Sequence, residues 1–258
     1  MVHWQEPAPH VGLAIFDRPE RRNAMNAEIV DELRGHLERN HHLRAIVFAG
    51  EGSSFCAGAD IVRRTEEHTG LAHGKQDSFR PAFERLCDEI ESHPAPIIAA
   101  VHGPAIGAGT QLVVACDFRV AGPDAVFGIP ASKLGIVLSP ANVRRLVQLV
   151  GPHNAKDLLV TSRYVDREEA NRLGLVTRDV GTDVRADAIA FASEIAALAP
   201  ITVQSHKRAV ALCNAVGVLQ GDAAEEVSAM EQRAFLSDDL QEGLAAFAEK
   251  RTANFQGR

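Results

Sequence analysis

The sequence predicts an α/β core over residues 1–195 followed by a helical extension over 196–258. Two observations carry this expectation. Short apolar runs alternate with amphipathic helical segments through the first two-thirds of the chain, whereas helical periodicity fills the last third. No Ser/Pro linker, low-complexity tract or solenoid repeat divides the chain. With 258 residues, 46% apolar and 24% charged, the chain can bury a sizeable core and has an ordinary globular composition.

The elements follow in order. Val11 to Phe16 is a short apolar run and reads as a strand. Asn26 caps a helix carrying Ile29, Leu33 and Leu37 at four-residue spacing. Arg44 to Ala49 reads as a buried strand, and a Gly/Ser-rich loop follows from Gly50 to Gly58. Residues 61–77 are polar and weakly periodic, and read as a mobile excursion. Phe79, Phe83, Leu86 and Ile90 mark a helix ended by Pro94 and Pro96. Ile97 to Val101 is a strand, and a second small-residue loop leads into an apolar helix reaching Cys116. Asp117 to Ala121 and Ala125 to Phe127 are short strands. Helices are expected over Arg144 to Val150, His153 to Thr161 and Arg167 to Leu173, with breaks at Gly151 and Gly174. A strand at Leu175 to Val180 precedes helices near 183–199, 202–217, 222–237 and 240–254.

Composition excludes some functions. A net charge of −7 argues against a general nucleic-acid binder, whose affinity comes from excess Lys and Arg. No apolar run approaches the roughly 20 residues a membrane span needs. The first residues lack the basic-then-apolar pattern of a signal peptide, so a cytoplasmic address is expected. Cys56, Cys87, Cys116 and Cys213 form no CxxC pair and match no zinc spacing. They are expected to be buried free thiols, and no metal site is expected.

Two loops stand out: Ala49 through Asp60 (AGEGSSFCAGAD) and Ala100 through Gln111 (AVHGPAIGAGTQ). Each follows a strand, and small residues let a ligand approach the backbone. Free N–H groups at a helix start can hold an anion or a developing oxyanion. Neither loop ends in Gly-Lys-Ser/Thr or completes G-x-G-x-x-G, so P-loop and dinucleotide binding both fail. By glycine content alone, tight turns with close packing are an equal reading.

Taken together, the motifs resemble the crotonase (enoyl-CoA hydratase/isomerase) superfamily almost end to end. The segments are Asp17 to Asn26 (DRPERRNAMN), Phe55 to Asp60 (FCAGAD), His102 to Gly109 (HGPAIGAG), Phe127 to Pro130 (FGIP), and Glu242-Gly243 through Ala246 to Arg251 (AFAEKR) and Phe255. The resemblance implies a ClpP-like fold of repeated ββα units with a helical C-terminal trimerisation region, and trimers paired into hexamers. It implies a coenzyme A thioester, acyl-CoA or enoyl-CoA, as ligand, with no permanently bound cofactor. The backbone N–H groups of Ala59 and Ala108 would form the oxyanion hole. Arg22, Ala24, Ala57, Asp60, Ile61, Gly107, Ser139, Phe247 and Lys250 would surround the ligand, with Arg22 and Lys250 toward the CoA phosphates. A solvated surface charge is the alternative for both cations, and a helix cap for Asp60.

The sequence also departs from the superfamily pattern. Typical hydratases carry two glutamates, one two residues after the last Gly of the second loop and one directly after F-G-x-P. These positions hold Gln111 and Ala131. A carboxamide orients water but does not accept its proton near neutral pH, and alanine does neither. Ser139 falls where some isomerases carry an Asp, but no local base would activate it. Lys133 reads as a surface residue or a salt-bridge partner, and His102 as a packed, hydrogen-bonded histidine. Ala131 with Ile136, Val137 and Leu138 would line an apolar acyl pocket or pack the core.

This combination is similar to a mycobacterial branch of the superfamily that lacks both acids. That likeness implies acyl-CoA binding without hydratase activity, and a lipid-synthesis enzyme as partner. The alternative is an active hydratase or isomerase using a displaced acid such as Glu66, Glu67 or Asp77. A ligand-free structural protein is the third reading, and it leaves both loops unexplained.

Overall fold

The computed structural model describes residues 1–60, 79–216 and 220–258. The strands are β1 (Val2–Ala8), β2 (Val11–Phe16), β3 (Ala45–Gly50), β4 (Ile97–Val101), β5 (Pro104–Ile106), β6 (Phe118–Ala121), β7 (Val126–Gly128), β8 (Tyr164–Asp166) and β9 (Arg178–Asp179). The main sheet runs β1-β2-β3-β4-β6-β9 and is parallel except for the β1–β2 pair. A small second sheet runs β5-β7-β8.

The central strands are buried on both faces, which explains why they read as unbroken apolar runs. From β2, Ala14 and Phe16 enter one core with Phe48, Leu33 and Leu86, while Leu13 and Ile15 enter the other with Val47 and Phe191. The first core lies beneath α1 (Ala27–Arg39) and α2 (Phe79–Ser92), and the second beneath α6 (Val184–Ala196). Asn26 caps α1 as expected, its Oδ1 accepting from the Ile29 N–H at 3.0 Å. The remaining helices are α3 (Ala108–Ala115), α4 (Pro140–Thr161), α5 (Arg167–Arg172), α7 (Pro200–Val216), α8 (Asp222–Phe235) and α9 (Asp238–Glu249). Among the described residues no single helix is long and apolar enough to cross a membrane.

The chain turns by 105° between α6 and α7. Lys207 fastens α7 back to the core, its Nζ donating to the Ile90 and Ala95 carbonyls and to Asp117 Oδ2 at 2.6 Å. Helix α4 is broken at Gly151 (φ 77°, ψ 162°), as the sequence suggests.

Several expectations are corrected. The strand expected over Leu175 to Val180 shrinks to β9, because Leu175 and Val176 pack into the core ahead of the ladder. Edge strand β1 and the three-residue strands β5 and β8 were not expected. Helix α4 begins at Pro140 rather than Arg144, because Ser139 caps it and proline suits the first helical turn. The last helix stops at Glu249, where Lys250 turns left-handed (φ 55°). Cys56, Cys87 and Cys116 are buried thiols, but Cys213 is exposed. The excursion expected over 61–77, with Glu66, Glu67 and Asp77, lies outside the described residues, apart from its neighbour Phe79 in α2.

Candidate functional site

The two glycine loops are tied together by their backbones. The Phe55 and Cys56 N–H groups donate to the His102 and Pro104 carbonyls, and the Ile106 N–H donates back to Cys56 at 2.9 Å. Gly107 donates to the Gly128 carbonyl at 2.8 Å, docking the second loop on β7. His102 is a hydrogen-bonded residue of this frame, its Nε2 lying 3.0 Å from the Gly52 carbonyl oxygen.

Each candidate donor follows a glycine in left-handed geometry. Gly58 (φ 110°) precedes Ala59, and Gly107 (φ 61°) precedes Ala108. A Cβ on Gly58 would sit 2.9 Å from the Ile106 carbonyl oxygen. Around Ala59, the Ala57 N–H is taken by Arg22, the Gly58 carbonyl accepts from Met25, and the Asp60 N–H is taken by Met25. The Ala59 N–H between them has no acceptor among the described residues. Ala108 opens α3, and Gly107 ahead of it offers no side-chain cap, so the Ala108 N–H is also unclaimed there. Both alanines line one cleft of about 140 Å³.

The rest of the cleft lining is built from side chains. Ala131, Leu134, Ile136, Val137, Leu138 and Ser139 contribute to it, together with Phe79 and Phe83 of α2. Val137 is 79% exposed, so this apolar strip continues from the cleft onto the surface. Ser139 is buried and acts as the cap of α4, accepting from the Asn142 N–H. Gln111 donates through Nε2 to the Gly107 carbonyl at 3.3 Å and accepts at Oε1 from Asn142 Nδ2 at 2.9 Å. Lys133 lies over the Tyr164 ring, 5.2 Å from its centroid, on the outside of this wall. Burial pushes the Cys56 thiol up to about 12, so it is not a nucleophile near neutral pH.

The comparisons settle the family. The enoyl-CoA hydratase/isomerase family model matches residues 9–258. The chain belongs to the enoyl-CoA hydratase/isomerase family. It is 38% identical over 253 residues to the probable enoyl-CoA hydratase echA6 of Mycobacterium tuberculosis, covering 94% of each chain. It is 34% identical to the human mitochondrial enoyl-CoA hydratase domain-containing protein 2, over 95% of this chain and 85% of that one. The crystal structure of an enoyl-CoA hydratase from Bacillus anthracis superposes with a TM-score of 0.89 at 30% identity, over 100% of this chain and 99% of that one. The expected crotonase fold is therefore the observed one.

In this family member, Ala57, Ala59, Gly107, Ala108, Gln111, Ala131 and Ser139 come together around the cleft. Arg22, Ala24, Asp60, Phe247 and Lys250 do not line it, and Ile61 lies outside the described residues. Asp60 is buried and paired with Arg18 at 2.8 Å, which braces the loop; the residues it was expected to cap lie outside the described residues. Arg22 is exposed and left-handed (φ 50°), and its carbonyl anchors Ala57 at 2.9 Å. Phe247 is 87% exposed on α9, with Lys250 just beyond.

Sequence reasoning missed four residues. Arg18 bridges Asp60 to the Ala24 carbonyl, and buried Asn23 ties this loop to the Glu51 and Ser54 carbonyls. Both stand inside the DRPERRN segment, where their side chains could have been noted. Asn142 contacts Gln111, and nothing in the sequence links them. Glu84 is the acidic residue among the described groups lining the cleft. It sits one turn after Arg80 on α2 and is visible in sequence only as one charge of an amphipathic helix.

Proposed function

We propose that this protein binds acyl-CoA or enoyl-CoA thioesters, holding the thioester oxygen between the Ala59 and Ala108 N–H groups, and that it lacks hydratase activity. The supporting observation is one cleft lined by two unclaimed backbone donors and by Gln111 and Ala131. Fixed donors suit a thioester oxygen, whose negative charge grows on enolisation. Hydration also needs a base for water and an acid for the α-carbon, and neither Gln111 nor Ala131 exchanges a proton near neutral pH. The exposed apolar strip at Leu134, Ile136 and Val137 gives the acyl tail a path beyond the small cleft.

The ligand is a diffusible CoA ester, without a permanent cofactor, in a cytoplasmic protein serving fatty-acid or lipid metabolism. Arg22 and Lys250 are the cations offered to the CoA phosphates. Exposed Phe247, Leu244, Phe235 and Leu236 on α8, α9 and their junction suit burial against further copies, as a trimer or a pair of trimers. A lipid-synthesis enzyme would receive the acyl-CoA.

The second reading is an active hydratase or isomerase, and Glu84 in the cleft wall favours it. The deciding experiment is enoyl-CoA hydration, followed by loss of the conjugated-thioester absorbance, beside ligand-induced thermal stabilisation by acyl-CoA. Stabilisation without turnover is the expected result. Turnover at ordinary hydratase rates, abolished by Glu84→Gln, would overturn the non-catalytic reading in favour of the displaced acid.

A further inference from the structure

Gln111 is the outer end of a buried relay whose hydrogen-bond directions are all determined. Arg145, 2% exposed, is held by Asp88 and by Glu91 at 2.8 Å. Burial opposes its charge, and the two carboxylates outweigh that and hold its pKa above the ordinary value. A guanidinium only donates, so the Asn142 atom facing it at 2.8 Å is the oxygen. The Asn142 nitrogen therefore faces Gln111, whose atom there is Oε1 at 2.9 Å. The other end agrees: the Gly107 carbonyl only accepts, so the Gln111 atom beside it at 3.3 Å is Nε2. Arginine at one end and a carbonyl at the other exclude the flipped assignment of either amide.

That amide nitrogen carries two hydrogens. One meets Gly107, and the second has no acceptor among the described residues. Gln111 and Asn142 both line the cleft that holds the Ala59 and Ala108 donors. Gln111 lies one helical turn after Gly107, beside the proposed oxyanion hole. C3 of a bound acyl group is two bonds from the thioester carbon, on the side of the cleft away from CoA.

We propose that the cleft selects acyl thioesters bearing a carbonyl oxygen at C3, and that Gln111 reads this oxygen through Nε2–H. Asn142 is a positioning residue that keeps the nitrogen turned toward the ligand, and Arg145 fixes Asn142. The inference rests on the acyl-thioester reading above and names the acyl class. A saturated chain leaves the Gln111 donor unpaired in a partly dry cleft, whereas a 3-oxo group pairs it. The three N–H donors then face the two oxygens of a 3-oxo thioester, and the neutral amide offers it no opposing carboxylate.

The test is calorimetric binding of 3-oxohexanoyl-CoA and hexanoyl-CoA to the full-length protein and two variants. The unmodified protein is expected to bind the 3-oxo ester about three- to tenfold tighter, the range of one net hydrogen bond. In Asn142→Asp the carboxylate accepts from both Arg145 and Gln111, so Gln111 turns its oxygen into the cleft. The ratio of the two affinities should fall to one or below, an inversion that simple loosening, which weakens both esters alike, does not produce. In Gln111→Leu the two affinities should become equal, which decides the matter should Asn142→Asp not fold. A wild-type ratio at or below one, or a ratio unchanged by either substitution, overturns the inference. Failure of both esters to bind any of the three proteins overturns the acyl-thioester reading itself.

Discussion

The two walls of the cleft are built from different material. On one, the donors are main-chain N–H groups of Ala59 and Ala108, set by left-handed Gly58 and Gly107 and by backbone bonds between the loops. The rest of the lining, namely Ala131, Glu84, the 134–139 strip and Gln111 one turn along the Ala108 helix, acts through side chains. A backbone wall survives most substitutions because every residue but proline carries an N–H. A side-chain wall changes its chemistry at a single codon. On the proposed reading, such a scaffold can keep its hold on a thioester oxygen while the side chains lining the cleft are exchanged.

The largest expected effect breaks this division. Gln111→Glu with Ala131→Glu should raise enoyl-CoA hydration about 10²-fold or more over the unmodified protein, since each acid or base typically contributes that much. Asn142 would donate to a carboxylate at position 111 as it does to the amide. Stopped assays with a matched enoyl-CoA check this. A folded double variant with no gain would mean that the backbone wall does not hold the thioester where the two acids need it.

The glycine loops were legible in sequence, and so were Gln111, Ala131, Ser139 and the Ile136–Leu138 run of the side-chain lining; Glu84, Asn142 and the relay behind Gln111 were not. The strands β2, β3 and β4 show as apolar runs because both faces are buried. The glycine loops show because small residues cluster after them. Arg144 and Arg145 look identical in sequence, yet Arg144 is exposed and Arg145 is buried at the root of the relay. Gln111, Asn142 and Asp88 are brought together by helix packing over many residues, which no local pattern records. Strand β1 was missed because it is an edge strand with mostly exposed side chains and a proline.

The next effect sharpens the comparison from the backbone side. Gly58→Ala forces a Cβ at φ 110°, against the Ile106 carbonyl oxygen at 2.9 Å. Strain of this kind costs on the order of 1–3 kcal/mol, about 2–4 °C of Tm per kcal/mol for a chain this size. Acyl-CoA affinity should fall at least about tenfold, since the Ala59 N–H moves with the strain. Thermal scans with and without ligand separate the two losses. Unchanged ligand stabilisation would remove Ala59 from the hole.

Acid should act on the side-chain wall first. His93 follows α2, the helix that supplies Phe83 and Glu84. It is 3% exposed, stacks on His41 at 4.9 Å and accepts at Nδ1 from the Ala95 N–H. Burial lowers its pKa to about 4. The unfolded chain, with an ordinary histidine near 6.5, binds a proton that the folded chain refuses. This contribution to stability is present above about pH 6.5 and is lost as pH falls toward 4, with a slope of at most about 1.4 kcal/mol per pH unit. Denaturant titrations of wild type and His93→Asn should converge across that window. Parallel curves would show that His93 does not set the acid sensitivity.

The smallest expected effect is the most direct statement about the backbone wall. Ala108→Gly removes a methyl group but leaves the N–H, the preceding Gly107 and the Gly107–Gly128 bond in place. The added chain freedom costs about 0.5–1 kcal/mol of stability. Acyl-CoA affinity should stay within about twofold, because the oxygen meets an N–H and not a side chain. Isothermal titration beside a thermal scan resolves these quantities. A loss of affinity well beyond the loss of stability would mean that the Ala108 methyl group packs against the ligand, and the wall assigned to main chain would then depend on a side chain after all.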